Sequence, residues 1–163
     1  MVKLAIKHIQ KTGRTTAVNL TANALIDPTF STWLEGLLLK QGMIAERLNL
    51  EVNETSAYSH VDGFQRLSRR VQAAGAKLGV EHMGYRIDQV GKLGDLGIDY
   101  IKIDGLFTKG ISSNAGTAAL LRTYISISQT LGLPCIAEGI VNSDDLKAVY
   151  ELGATAASGP AVK

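Results

Sequence analysis

A regular alternation of short, β-rich apolar runs with stretches of helical periodicity constrains this chain more than any other feature. The runs fall at Thr16–Leu20, Leu48–Val52, Lys77–Glu81, Tyr100–Asp104, Pro134–Glu138 and, more weakly, Ala154–Ser158. Between them, Thr32–Lys40 carries Trp33, Leu34, Leu37 and Leu38, and Gly63–Ala74 carries Phe64, Leu67 and Val71. Ile87–Leu96 carries Val90 and Leu93, Ala118–Leu131 carries Leu121, Ile125 and Ile127, and Ser143–Leu152 carries Leu146, Val149 and Tyr150. Strands that alternate with helical patterns form βαβ units, so the pattern predicts an α/β chain with a parallel sheet. The punctuation agrees: Gly75, Gly97, Gly132 and Gly153 each follow a helical run, where glycine takes a left-handed cap at little cost. Asp27–Pro28 reads as a turn into a helix. Asn142–Ser143, ahead of Asp144 and Asp145, reads as a helix start with acids at the positive end of the dipole.

A length of 163 residues fits one domain, 1–163. Seventeen basic against 15 acidic residues leave a net charge of +2, which argues against a nucleic-acid partner. The single cysteine, Cys135, excludes an internal disulfide and a multi-cysteine metal site. The three histidines, His8, His60 and His82, show no metal-motif spacing. No stretch approaches the roughly 20 apolar residues of a membrane span. The opening MVKLAIKHIQ lacks the apolar core and cleavage site of a signal peptide. A soluble cytoplasmic domain is therefore the expectation.

The polar residues carry the functional signal. Glu51, Glu81, Asp104 and Glu138 each fall at the C-terminal end of a predicted strand, and Asn19 takes the matching place in the first. Lys102 precedes Asp104 by two residues, so both point to one face of their strand. Ligands of parallel α/β proteins bind at the carboxyl ends of the strands. Carboxylate and amide oxygens there suit magnesium, calcium or manganese, and a lysine beside them suits a phosphate-bearing substrate. A lone acid at a strand end is ordinarily a solvated loop residue or a cap. Four of five consecutive strands ending on an acid point to a shared site, in use or ancestral. Glu54 is weaker, because Asn53-Glu54-Thr55 also reads as a helix start. His82 is expected to be solvated or hydrogen-bonded, Cys135 and Trp33 to be core, and Arg69–Arg70 to lie on a solvated helix face.

Four stretches together resemble the EAL domain of bacterial cyclic di-GMP signalling: AVNLTANALIDPTF (17–30), ERLNLEVNETS (46–56), IDYIKIDGLFTKGI (98–111) and SQTLGLPCIAEGI (128–140). The resemblance covers the chain from residue 17 onward and implies a modified (β/α)8 barrel. It also implies hydrolysis of cyclic di-GMP aided by two divalent cations, which clamp the phosphate and generate the attacking hydroxide. Carried over by motif, Asn19, Glu51 and Asp104 take metal-ligand positions, and Lys102 that of the lysine near the phosphate and attacking water. Glu138 takes that of a ligand or general base, and Glu54 that of the acid steadying the loop after the next strand.

The departures bear on activity. Active members carry Asp-Asp-Phe-Gly where this chain has Glu81-His82-Met83-Gly84, so Glu81 keeps a carboxylate and His82 replaces a bridging one. Ser158, before Gly159-Pro160, replaces the glutamine of a closing Gln-Gly motif. The Glu-Ala-Leu motif is absent, so the resemblance implies a partial EAL domain without its N-terminal part. A full barrel takes about 250 residues, which implies an incomplete TIM-type barrel of about six βα units with unpaired edges that favour a homodimer or pairing with other domains of a longer protein. The Glu81–Gly84 segment and the Ser-Gly-Pro-Ala-Val ending resemble LapD-type receptors, inner-membrane proteins whose cytoplasmic EAL domain binds the dinucleotide without cleaving it and thereby controls adhesin retention and biofilm formation. Three functions follow from the resemblance. They are a cyclic di-GMP receptor needing no cofactor, a phosphodiesterase needing magnesium or manganese with Glu81 as a ligand and pGpG as product, and an interaction module that binds no nucleotide.

Overall fold

The computed structural model describes residues 1–162. The chain divides into two compact units, one of Met1–Val80 with Asp88–Asp99, the other of Glu81–Ile87 with Tyr100 onward. Six strands, β1 to β6, follow one another in the sheet in chain order. The βα alternation expected from the sequence is present.

The first unit opens with α1 (Val2–Thr12), which the strand-and-helix pattern above does not include. Val2, Ala5, Ile6 and Ile9 form its buried stripe, and Gly13 at φ 67° closes it by donating its N–H to Ile9 O. β1 (Thr16–Leu20), α2 (Ala22–Ile26) and α3 (Pro28–Leu39) follow. The Asp27 side chain caps α3 by accepting from Thr29 N, with Pro28 in the first turn, as the turn signal predicts. A 3₁₀ segment, Gly42–Arg47, leads into β2 (Leu48–Asn53). β1 and β2 pair in parallel, Thr16 against Leu48 through Leu20 against Val52. Leu48, Leu50 and Val52 are fully buried. α4 (Glu54–Ser59) and α5 (Val61–Ala73) come next, with Phe64, Leu67 and Val71 of α5 buried. Gly63 admits no side chain, because a Cβ there would stand 2.3 Å from the Leu25 carbonyl oxygen at the end of α2.

Three expectations change in this unit. Trp33 is 43% exposed rather than core. The buried stripe of α3 runs through Ser31, Leu34 and Leu38, so position 33 lies off it. Trp33 instead packs beside Phe30, ring centroids 5.6 Å apart, under the Lys3 ammonium. Arg69 is exposed as expected, but Arg70 is half-buried and paired with Glu35 of α3. Ile87–Leu96 forms a 3₁₀ rather than an α-helix, for Gly91 and Gly94 weaken any longer helix.

β3 (Lys77–Met83) gives its first four residues to the first unit and its last three to the second. Leu78 and Asp99 are tied twice there: Leu78 N donates to Asp99 Oδ2 and Asp99 N donates to Leu78 O. The second unit continues with β4 (Tyr100–Ile103), α6 (Ala115–Thr130), β5 (Cys135–Ala137), α7 (Ser143–Glu151) and β6 (Ala156–Ala157). β4 pairs with β5 and β5 with β6, both parallel. Asn142 caps α7 by accepting from Asp145 N, as the sequence predicts. Cys135 is buried in β5, as expected, and burial pushes its thiol up to about 11, against a smaller lowering by Ser128. Among the described residues no helix is long and apolar enough to cross a membrane.

Candidate functional site

In the second unit, five polar side chains gather around the ends of β3, β4 and β5. Ile101 and Ile103 are fully buried, and the alternation of β4 sends Lys102 to the other face. Asp104 continues the ladder just past β4, its N–H donating to Met83 O. Glu138 does the same past β5, its N–H donating to Ile103 O. Lys102 Nζ then stands 2.9 Å from Glu138 Oε1, with both side chains more than four-fifths buried. The second oxygen, Glu138 Oε2, is buried without a hydrogen-bond partner among the described residues.

His82 organises the rest. Its backbone has φ 53°, an uncommon conformation for a residue with a side chain, and it turns the imidazole out of β3. Nδ1 lies 2.8 Å from Asp104 Oδ2 and 4.0 Å from Glu138 Oε2, and Nε2 lies 3.9 Å from Glu81 Oε2. A carboxylate only accepts hydrogen bonds, so Nδ1 carries the hydrogen of the bond to an ionised Asp104. The other oxygen of Asp104 accepts from Leu106 N at 2.8 Å and caps the 3₁₀ turn Gly105–Phe107. Asp104 thus joins the imidazole to the loop after β4. Gly84 (φ 138°) lets the chain leave β3 against Phe107, since a Cβ there would reach the ring at 2.3 Å. Tyr85 meets the same ring edge-on at 5.1 Å between centroids.

In the first unit, Asn19 and Glu51 are direct register partners on β1 and β2. Glu51 is buried and Asn19 exposed. Glu54 is buried in the first turn of α4, whose start is capped by Asn53 accepting from Ser56 N at 2.8 Å. The helix-start reading of Asn53-Glu54-Thr55 therefore holds for the backbone. Asn19 also lines a cavity of about 440 Å³, together with Lys3, Asp27, Phe30 and Trp33.

Of the residues singled out from sequence, the second unit brings together Glu81, Lys102, Asp104 and Glu138, and the first pairs Asn19 with Glu51. Carboxylates of this kind suit divalent cations by chemistry. Here Asp104 Oδ2 is taken by His82 and Glu138 Oε1 by Lys102. Among the described residues no three His, Cys, Asp or Glu side chains converge as a metal-holding group.

Two positioning features carry no sequence signal beyond the helix-start place of Asp145. One is the left-handed backbone at His82. The other is Asp145, whose buried carboxylate accepts from Gly110 N, Ser112 N, Ser112 Oγ and Asn142 Nδ2 at 2.8–3.0 Å. Burial raises the Asp145 pKa, but the bonds from Ser112, Gly110 and Asn142 outweigh it and hold the carboxyl below its ordinary value.

The sequence model of the EAL domain family matches residues 1–163. The chain is 26% identical over 136 residues to the cyclic di-GMP phosphodiesterase PdeA of Borreliella burgdorferi, covering 83% of this chain and 20% of that protein. It therefore spans about a fifth of that relative's length. A Xanthomonas citri FimX EAL domain in complex with c-diGMP superposes with a TM-score of 0.84 at 24% identity, over 94% of this chain and 62% of that one. Vibrio cholerae LapD bound to c-di-GMP gives 0.85 at 21%, over 94% of this chain and 38% of that one. These likenesses correct two expectations. The resemblance does not begin at residue 17: the match starts at Met1, so α1 lies inside it. Nor does the likeness single out LapD, since FimX fits the fold as well as LapD does. With its whole length matched, the chain belongs to the EAL domain family.

Proposed function

We propose that this chain binds cyclic di-GMP as a signal and does not cleave it. The FimX and LapD structures it resembles hold that dinucleotide. The observation that carries the reading is the imidazole of His82 on Asp104, 2.8 Å away, beside the Lys102–Glu138 pair. The dinucleotide brings two phosphodiester anions, which a cluster of bare carboxylates would repel. Here the protein's own cationic and N–H groups stand among the acids and offer a phosphate its partners. Calorimetric titration of cyclic di-GMP in chelator, followed by a hydrolysis assay with manganese, tests this. Binding in chelator with no linear pGpG formed is the expected result. Robust turnover would sink the receptor reading.

The likeness to PdeA, whose name is that of a phosphodiesterase, favours a second reading in which the protein cleaves the dinucleotide with magnesium or manganese. Glu81 would then be needed as a metal ligand. Turnover lost in Glu81→Ala supports that reading, and turnover unchanged in Glu81→Ala counts against it.

A further inference from the structure

The geometry points to Thr108 as a positioning residue for Glu138, acting through the main chain rather than by touching any ligand. β5 ends at Ala137, so the sheet ladder no longer serves the Glu138 carbonyl. A carbonyl beyond the ladder still needs a donor, so something outside the ladder has to reach it. That donor is the Thr108 hydroxyl, 2.5 Å from Glu138 O. Thr108 is fully buried, and its backbone N–H is turned to Gly105 O at 3.4 Å. The Glu138 N–H is meanwhile held by Ile103 O. Both main-chain groups of Glu138 are therefore fixed, one by the end of β4 and the other by a single side chain in the loop that follows.

The approach of the two loops leaves little freedom to replace that bond. A Cβ on Gly139 would stand 2.9 Å from Gly105 Cα, and one on Gly105 would stand 3.3 Å from Gly139 Cα. Gly139, at φ 70°, turns the chain immediately after Glu138. Losing the hydroxyl frees the Glu138–Gly139 peptide to rotate about that turn. Its carboxylate would then swing relative to Lys102, 2.9 Å away in the native arrangement. Thr108 thereby sets the Lys102–Glu138 pairing from a distance of 30 residues in sequence.

The consequence for ligand binding rests on the proposed cyclic di-GMP reading; the consequence for the ion pair does not. The test compares Thr108→Val, close to isosteric but without a hydroxyl, with Thr108→Ser, which keeps it, and with Thr108→Ala in case the valine form folds poorly. Two quantities are read in the whole chain: cyclic di-GMP affinity by calorimetry, and the Lys102 ammonium resonance by NMR as a ligand-free report of the pair. Thr108→Val and Thr108→Ala are expected to weaken binding by about tenfold or more and to move the Lys102 resonance, since small misplacements of a binding group carry penalties of that order. Thr108→Ser is expected to stay within about twofold of the native affinity and to restore the resonance. A serine form as weak as the valine form, or a valine form with the native Lys102 resonance, overturns the assignment. If the native chain binds no cyclic di-GMP, the function proposed above fails. The resonance comparison then decides the role of Thr108 by itself.

Discussion

His82 Nδ1 and Asp104 Oδ2 are 2.8 Å apart, although His82 reaches that position only by holding its backbone at φ 53°. The residue combines an unfavourable main-chain conformation with a favourable side-chain bond. The two are separable by substitution. His82→Gly removes the conformational penalty and the imidazole together, whereas His82→Ala keeps the penalty and loses only the bond. The glycine form is expected to be the more stable of the two by about 1 kcal/mol, with both weaker than native in binding cyclic di-GMP. Chemical denaturation and calorimetry on the two variants check this; equal stability would show that the left-handed turn is unstrained.

Gly84→Ala should be among the most damaging changes of a single methyl in the chain. Its Cβ would meet the Phe107 ring at 2.3 Å from a backbone at φ 138°. A loss of about 2–4 kcal/mol is expected from overpacking and strain together. Trimming the obstacle in Gly84→Ala/Phe107→Ala should recover only the steric part. Urea melts of the single and double variants separate the two contributions.

Asp145 predicts an acid limb. Its carboxyl titrates below the ordinary 3.8 in the folded chain, so the folded state holds fewer protons there than the unfolded one. The stability it lends is present above that ordinary value and is lost as pH falls through the lower folded value. Asp145→Asn should flatten the dependence of stability on pH in that window. At neutral pH it should cost about 1–3 kcal/mol, because an amide cannot accept from all four donors with both ends. Thermal melts of both proteins between pH 2 and 7 give the comparison.

Cys135 predicts the opposite limb. Its thiol is raised from 9.0 to about 11 by burial, so stability is full below the unfolded value and is lost as pH rises through the folded one. Cys135→Ala should remove that slope while costing some packing. At pH 8 the native thiol should react with iodoacetamide far more slowly than in urea, and equal rates would show that β5 opens freely.

Trp33→Ala is expected to change stability by less than about 1 kcal/mol, against about 2–5 for its neighbour Leu34→Ala, which empties a fully buried site. The contrast marks where a sequence pattern reads well and where it slips. The apolar runs at Leu48–Val52 and Tyr100–Ile103 are legible because alternate residues of a strand share one face, and Leu48, Leu50 and Val52, like Ile101 and Ile103, are all fully buried. A helix face is harder to phase. Adjacent Trp33 and Leu34 both look apolar, and only the Ser31–Leu34–Leu38 spacing tells which one is inside. In α1 the same spacing, Val2, Ala5, Ile6 and Ile9, is present but broken up by Lys3 and Lys7. At the site, acids at strand ends are legible because a strand's end and its alternation fix where they fall. The roles of His82 and Thr108 are not, since each depends on a backbone turn and on a partner more than 20 residues away.

The near-contact of Gly105 and Gly139 has a consequence for how such a chain can diversify. With less room at Gly139 than a methyl group needs, and a tight fit at Gly105, the two loops form one closely packed seam. Sequence drift on one side is vetoed by the other. New specificities in this part of the molecule have to be written in exposed residues that flank the seam, such as Leu106, while the seam itself stays bare.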